Sequence, residues 1–119
     1  TRTLRYSSAG HPPALLSSDG ETMPLRTLSL PLGVFDDETF VTATCHVPPE
    51  SDLLLYSDGA FEHTLPDGDT WLLADFIGAC EKTAESTDWP LDSLLDVLHQ
   101  LTGGGPFCDD CSLVKLRFH

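Results

Sequence analysis

The chain has 119 residues, 40% of them hydrophobic, and sets six Lys and Arg against 19 Asp and Glu for a formal charge of −13. That length holds one domain with a modest core, and no apolar run approaches the length of a bilayer span. A surface this negative repels phosphate backbones and anionic lipid, so nucleic acid and membranes are poor partners, and with no cationic, apolar leader the chain is expected in the cytoplasm.

Residues 3–9 alternate well enough for a strand; Gly10-His11-Pro12-Pro13 breaks it, and Ala14-Leu15-Leu16 resumes it. Asp19-Gly20 is a favoured hairpin corner, so this region is expected to form a small antiparallel meander. Residues 28–35 read as a connector with apolar anchors, and Asp36-Asp37-Glu38 as a solvated turn. Residues 40–47 alternate apolar with polar or small side chains, the pattern of a half-buried strand. After Pro48-Pro49, the run Leu53-Leu54-Leu55-Tyr56 is expected to be a strand buried on both faces.

Trp71, Leu72, Leu73, Phe76, Ile77 and Cys80 fall at helical spacing after the cap-like Asp67-Gly68-Asp69-Thr70. Leu91, Leu94, Leu95, Leu98 and Leu101 form a second stripe, with Pro90 suited to its first turn and Gly103 to its end. Gly103-Gly104-Gly105 reads as a mobile loop. The last strand should turn Val114, Leu116 and Phe118 to one face and Leu113, Lys115 and Arg117 to the other. Strands, two helices and one returning strand define an α+β fold on an antiparallel sheet.

The chemistry concentrates where strands end. The apolar run stops at Asp58-Gly59, and Asp109-Asp110 precedes the last strand. Glycine after Asp58 fits a strand ending in a tight turn, which holds a carboxylate on a rigid scaffold. Two acidic positions on strand ends give a hard divalent cation converging oxygen ligands. Asp-Gly is also a common turn for local reasons, and spacing leaves metal binding and a plain turn about even. Asp67-Gly68-Asp69 lacks the spacing and terminal Glu of a calcium loop. Ser7 with His11, and Ser57 with Asp58, have no nucleophile elbow to make a hydrolase triad. Cys108 and Cys111 match C-x-x-C but run into a strand where a redox motif opens a helix. A zinc site would need two more ligands, for which Cys45, His46 and His119 have no fixed spacing. A thiol or zinc protein is thus the minor reading, and reduced thiols are expected.

Four segments occurring in order carry a resemblance: residues 6–16 (YSSAGHPPALL), 30–34 (LPLGV), 53–62 (LLLYSDGAFE) and 109–114 (DDCSLV). Together they resemble the second half of a bacterial metal-dependent protein serine/threonine phosphatase, of the protein phosphatase type 2C superfamily. The branch is that of the sporulation stage II protein E and the sigma-factor-regulating phosphatases. The resemblance implies a β-sandwich flanked by helices, with two Mn2+ or Mg2+ ions in a cleft between the sheets. It implies that Asp58 and Asp109 are metal ligands, with Asp110 and Gly59 as further metal or supporting positions, and that no protein nucleophile is used.

The family's early metal motif, an Asp followed closely by a Gly-His/Lys-Gly turn, has no counterpart here. Residues 1–119 are therefore expected to be the C-terminal portion of a single phosphatase domain, with little activity alone and a tendency to self-associate. The expected whole is a phosphoserine/phosphothreonine phosphatase acting on a phosphorylated regulatory protein, for this branch an anti-sigma-factor antagonist, and fused to an upstream sensor or receiver module. The competing expectation is a binding module that kept the fold and lost the metal centre.

Overall fold

A computed structural model describes residues 1–83, 90–105, 107 and 110–119. Cys108 and Asp109 lie outside the described residues. The central element is a four-stranded antiparallel sheet in the order β3 (Glu21–Leu25), β2 (Ala14–Ser18), β5 (Ser51–Tyr56), β8 (Leu113–Phe118). β1 (Thr3–Tyr6) pairs with β4 (Ala43–His46) as a separate two-stranded sheet, and β6 (His63–Thr64) with β7 (Thr70–Trp71) as a short hairpin. The helices are α1 (Leu73–Thr83) and α2 (Leu91–Leu101). The α+β class and the antiparallel sheet are as the sequence led us to expect.

Local chemistry accounts for these elements. Asp19 and Gly20 both adopt positive φ, 51° and 79°, as the tight β2–β3 corner requires. Pro24 removes one ladder donor and sits in β3, an edge strand, where that loss is tolerated. In β2 and β5 the side chains alternate between two separate cores. Leu15, Leu54 and Tyr56 pack under the helices with Phe76, Cys80, Leu94 and Leu98. Leu16 and Leu53 point the other way, onto Leu25 and Val47, with Leu4, Tyr6 and Cys45 from β1 and β4 packed against them. The unbroken apolar run of β5 thus reflects burial on both faces. At its start, Asp52 is buried opposite Arg117 of β8, with the guanidinium 3.7 Å away.

Several expectations need correcting. The strand predicted over residues 40–47 is confined to Ala43–His46, and Phe40 and Val41 are exposed. The connector's apolar side chains are not anchored: Leu28 is 94% exposed and Leu32 75%. Residues 67–70 do not cap α1. They turn between β6 and β7, with the Gly68 N–H donating to the Leu65 carbonyl at 2.9 Å, and Trp71 belongs to β7. The helix is instead started by Asp75, whose carboxylate accepts the Leu72 N–H at 2.8 Å, the reach-back half of a capping box. The glycines after α2 form a hydrogen-bonded terminus, in which Gly103 and Gly104 donate to the Gln100 and His99 carbonyls with φ of 74° and 76°.

Candidate metal centre

β5 and β8 are antiparallel neighbours, with Tyr56 paired to Leu113. The residues that follow β5 therefore meet those that precede β8 at one end of the sheet. Asp58 opens a 3-10 turn over Asp58–Ala60 immediately after β5, and Asp110 lies just before β8. The two segments are stitched together. The Ser57 N–H donates to the Ser112 carbonyl at 3.0 Å, the Ser57 hydroxyl donates to the Asp110 carbonyl at 3.1 Å and accepts the Ser112 N–H at 2.9 Å. Gly59 is pressed so closely on the Asp110 carbonyl that a Cβ would collide with it. That close approach is why glycine follows Asp58.

Asp58 is exposed while Gly59 and Ala60 behind it are buried. It borders a cavity of about 580 Å3, lined also by Ala9, Gly10, His11, Pro12, Ser57, Phe61, Glu62 and Leu73. The turn rests on the helix-covered core through Tyr56, whose buried hydroxyl donates to the Pro13 carbonyl at 2.6 Å and whose ring lies 4.6 Å from that of Phe76. Burial raises the Tyr56 phenol, the neighbouring Cys80 thiol raises it further, and Arg26 pulls it slightly down. Two turn carbonyls receive ring N–H donors. His63 Nε2 lies 2.7 Å from the Gly59 oxygen, and Trp71 Nε1 donates to the Ala60 oxygen at 3.2 Å.

The cavity also gathers residues that the sequence did not single out as ligating. His11, dismissed as half of a triad, faces the same space as Asp58, with Nδ1 2.8 Å from the Pro12 carbonyl. The turn that carries His11 is fixed by the Gly10 N–H on the Ser29 carbonyl at 3.2 Å, and Gly10 has a φ of 73°. Glu62 adds a second carboxylate and holds a positive φ of 61°, costly for a residue with a Cβ. No spacing rule flags either residue; only the fold brings residues 9–12 beside residues 57–62.

The polar side chains of this wall are those of His11, Ser57, Asp58 and Glu62, and its two carboxylates are the donor type that suits Mn2+ or Mg2+. Among the described residues no group of three or more His, Cys, Asp or Glu side chains is placed to hold a metal ion. The carboxylates of the described wall thus suit a hard cation in kind, and by themselves are too few to hold one. Cys45, Cys80 and Cys111 are not in disulfides. Burial pushes up all three, Cys80 to about 12 with Glu81 adding to the effect, which keeps them as unreactive thiols. Also among the described residues, no helix is long and apolar enough to cross a membrane.

An antiparallel sheet layered between helices and a second sheet, with a carboxylate cleft at the strand ends, is the architecture of type 2C protein phosphatases. Comparison with known proteins agrees. The chain belongs to the stage II sporulation protein E (SpoIIE) family, whose model matches residues 1–119. It is 40% identical over 62 residues to the phosphoserine phosphatase RsbP of Bacillus subtilis, a match covering 51% of this chain and 15% of RsbP. In fold it is similar to the SiaA-PP2C domain of Pseudomonas aeruginosa, with TM-score 0.80 and 20% identity over 99% of this chain and 47% of that one. The structure of the RsbU and RsbW domains of Rv1364c from Mycobacterium tuberculosis has TM-score 0.73 and 27% identity, covering 99% of this chain and 33% of that one. The PP2C phosphatase domain of SpoIIE from B. subtilis, solved with a fragment of its regulatory domain, has TM-score 0.78 and 19% identity over 98% and 34%. This chain thus spans half or less of each of these relatives.

Proposed function

We propose that residues 1–119 are the C-terminal portion of a metal-dependent phosphatase domain that hydrolyses phosphoserine or phosphothreonine on a regulatory protein, with Asp58 and Asp109 as ligands to Mn2+ or Mg2+. The observation that carries this reading is the packing of the Asp58-Gly59 turn against Asp110 at one end of the sheet. Asp109 is adjacent in sequence to Asp110, which supports its convergence with Asp58. The phosphoserine activity in the name of RsbP, and a B. subtilis SpoIIE phosphatase domain studied presoaked in Mn, support the substrate class and the metal.

When bound, the ions supply the charge that acidifies a water and offsets the negative charge of the phosphoryl oxygens. The work of this chain is to hold Asp58 and Asp109 in fixed positions, with Asp110 and Gly59 supporting them, and to line the cleft that takes the phosphorylated side chain. His11 and Glu62 border that cleft and contact the substrate segment around the phosphate. No side-chain nucleophile takes part.

The sandwich face of the central sheet supports the partial-domain reading. Val114 and Leu116 of β8 stand on the same face as Leu53 and remain 50% and 46% exposed. Further strands of the same domain cover them and bring the remaining ligands. Asp109→Asn in the full-length protein should abolish Mn2+-dependent hydrolysis of a phosphoserine peptide while leaving its thermal unfolding unchanged. Near wild-type turnover in Asp109→Asn would refute the assignment of that residue, and absence of Mn2+-dependent turnover in the unsubstituted full-length protein would favour a binding module that has kept only the fold.

A further inference from the structure

The 3-10 turn that carries Asp58 is held in an unusual way. Its internal hydrogen bonds, the Ala60 N–H on the Ser57 carbonyl and the Phe61 N–H on the Asp58 carbonyl, leave the Gly59 and Ala60 carbonyls facing the protein interior. Buried carbonyls need donors, and both donors come from rings of the β6–β7 hairpin: Nε2 of His63 at 2.7 Å and Nε1 of Trp71 at 3.2 Å. A carbonyl only accepts, so Nε2 of His63 carries the proton in this contact.

His63 is 2% exposed, and its other nitrogen, Nδ1, is buried without a partner among the described residues. An apolar side chain opposite Trp71 would avoid that penalty. A buried imidazole with one nitrogen unmet calls for an explanation, and its single bond goes to the carbonyl directly after Asp58. On the far side the turn is backed by the Asp110 backbone, which leaves Gly59 no room to retreat. Phe107, a tilted neighbour of both His63 and His99 at 6.0 and 4.6 Å, ties the start of the segment before β8 to the same hairpin.

We propose that His63 and Trp71 are positioning residues for the metal centre. The β6–β7 hairpin clamps the turn from behind, so that the Asp58 carboxylate meets a Mn2+ or Mg2+ ion already oriented. This role rests on the reading of Asp58 as a metal ligand. Groups that orient metal ligands from behind typically alter metal affinity by 10–100-fold when lost.

The test uses full-length protein bearing His63→Ala, His63→Gln, Trp71→Phe or Asp58→Asn. Mn2+ affinity is measured by electron paramagnetic resonance, and backbone amide exchange of residues 58–61 is measured without metal. Gln places an amide N–H near the position of Nε2, and Phe keeps an aromatic ring at position 71 while removing the N–H together with the five-membered ring that carries it. We expect His63→Ala to weaken Mn2+ binding by about tenfold or more and to speed exchange in residues 58–61 selectively. His63→Gln should restore most of both, and Trp71→Phe should act in the direction of His63→Ala. Should His63→Ala fail to fold, Trp71→Phe decides: unchanged affinity in that variant overturns the clamp. Loss of Mn2+ in Asp58→Asn alongside unchanged affinity in His63→Ala overturns the positioning role alone. Equal loss in folded His63→Ala and His63→Gln also overturns it, because the hydrogen bond would then not be the cause. Unchanged affinity in Asp58→Asn overturns the metal-centre reading, and the positioning role with it.

Discussion

Gly59→Ala adds one methyl group where the structure has no room for it. The new Cβ would collide with the carbonyl oxygen of Asp110, approach its carbon to 2.7 Å and press on the Cys111 Cα at 3.0 Å. All three are backbone atoms, so no flexible side chain can swing aside. They are also held in place by the Ser57 hydroxyl, which bonds to both Asp110 and Ser112. Overpacking of this kind costs about 1–3 kcal/mol, and separating the two segments weakens hydrogen bonds worth about 1 kcal/mol each. A loss near ~3 kcal/mol corresponds to a fall in Tm of roughly 10 °C or more for a domain of this size. Gly78, inside α1, is the internal control. A Cβ there meets open space, so Gly78→Ala should stabilise by about 0.5–1 kcal/mol through helix propensity alone. Urea unfolding of the two variants, followed by circular dichroism, should therefore move in opposite directions. A Gly59→Ala midpoint within about 0.5 kcal/mol of wild type, the range of neutral surface changes, would mean that the Asp58 turn does not pack on Asp110. Asp58 and the segment before β8 would then not meet at one end of the sheet, and the proposed pairing of Asp58 with Asp109 would lose its support.

Tyr56→Phe should cost about 1–3 kcal/mol in thermal or urea unfolding, because it strands the buried Pro13 carbonyl that the phenol now serves. Alkaline pH should erode stability through Cys80. Its thiol, raised from 9.0 to about 12 by burial and then by Glu81, keeps its proton in the folded state after the unfolded chain has lost it. The contribution is whole below pH 9 and falls as pH rises toward 12, by up to about 1.4 kcal/mol per pH unit. Cys80→Ala should flatten the pH 9–11 limb of a stability curve, and an unchanged slope would contradict the burial argument. Residues 1–119 alone should show little Mn2+-dependent turnover and should self-associate as concentration rises, with Val114→Lys and Leu116→Lys reducing that association in sedimentation experiments. A monomeric, active 119-residue chain would refute both expectations.

The parts of this fold legible in the sequence are those set by burial and by glycine. β5 announces itself because both its faces are covered, so no polar residue interrupts Leu53-Leu54-Leu55. The Asp19-Gly20 corner and Gly103 at the end of α2 were readable because their backbone angles exclude most other residues, whereas the ordered turn of Gly104 was not. The α1 boundary was misjudged because the turn chemistry of residues 67–70 serves a hairpin and a cap equally well. The hairpin itself is two residues a side, too short for any alternation to register. The candidate site divides in the same way. Asp58 stood out because a carboxylate ends an apolar strand, whereas His11, Glu62, His63 and Trp71 become neighbours only through contacts that no local pattern encodes. Asp109 and Cys108 fall outside the described residues.

Holding Asp58 still while leaving its carboxylate exposed sets two physical demands against each other. A strand-end turn in water frays, because its carbonyls can exchange protein donors for solvent. Here the turn is buried from Gly59 inward, its carbonyls are served by rings and its flank is closed by the Asp110 backbone. Asp58, at its first position, is exposed and borders the cleft. For a structural turn this arrangement is wasteful, since a buried His63 nitrogen without a partner and a left-handed Glu62 both cost stability. For a metal ligand it is economical in entropy, because a carboxylate that is already oriented loses little freedom when the ion arrives. Both costs sit beside Asp58, as the proposed metal-ligand role would require, while the two hydrophobic cores on either side of β5 stabilise the sheet that holds the turn.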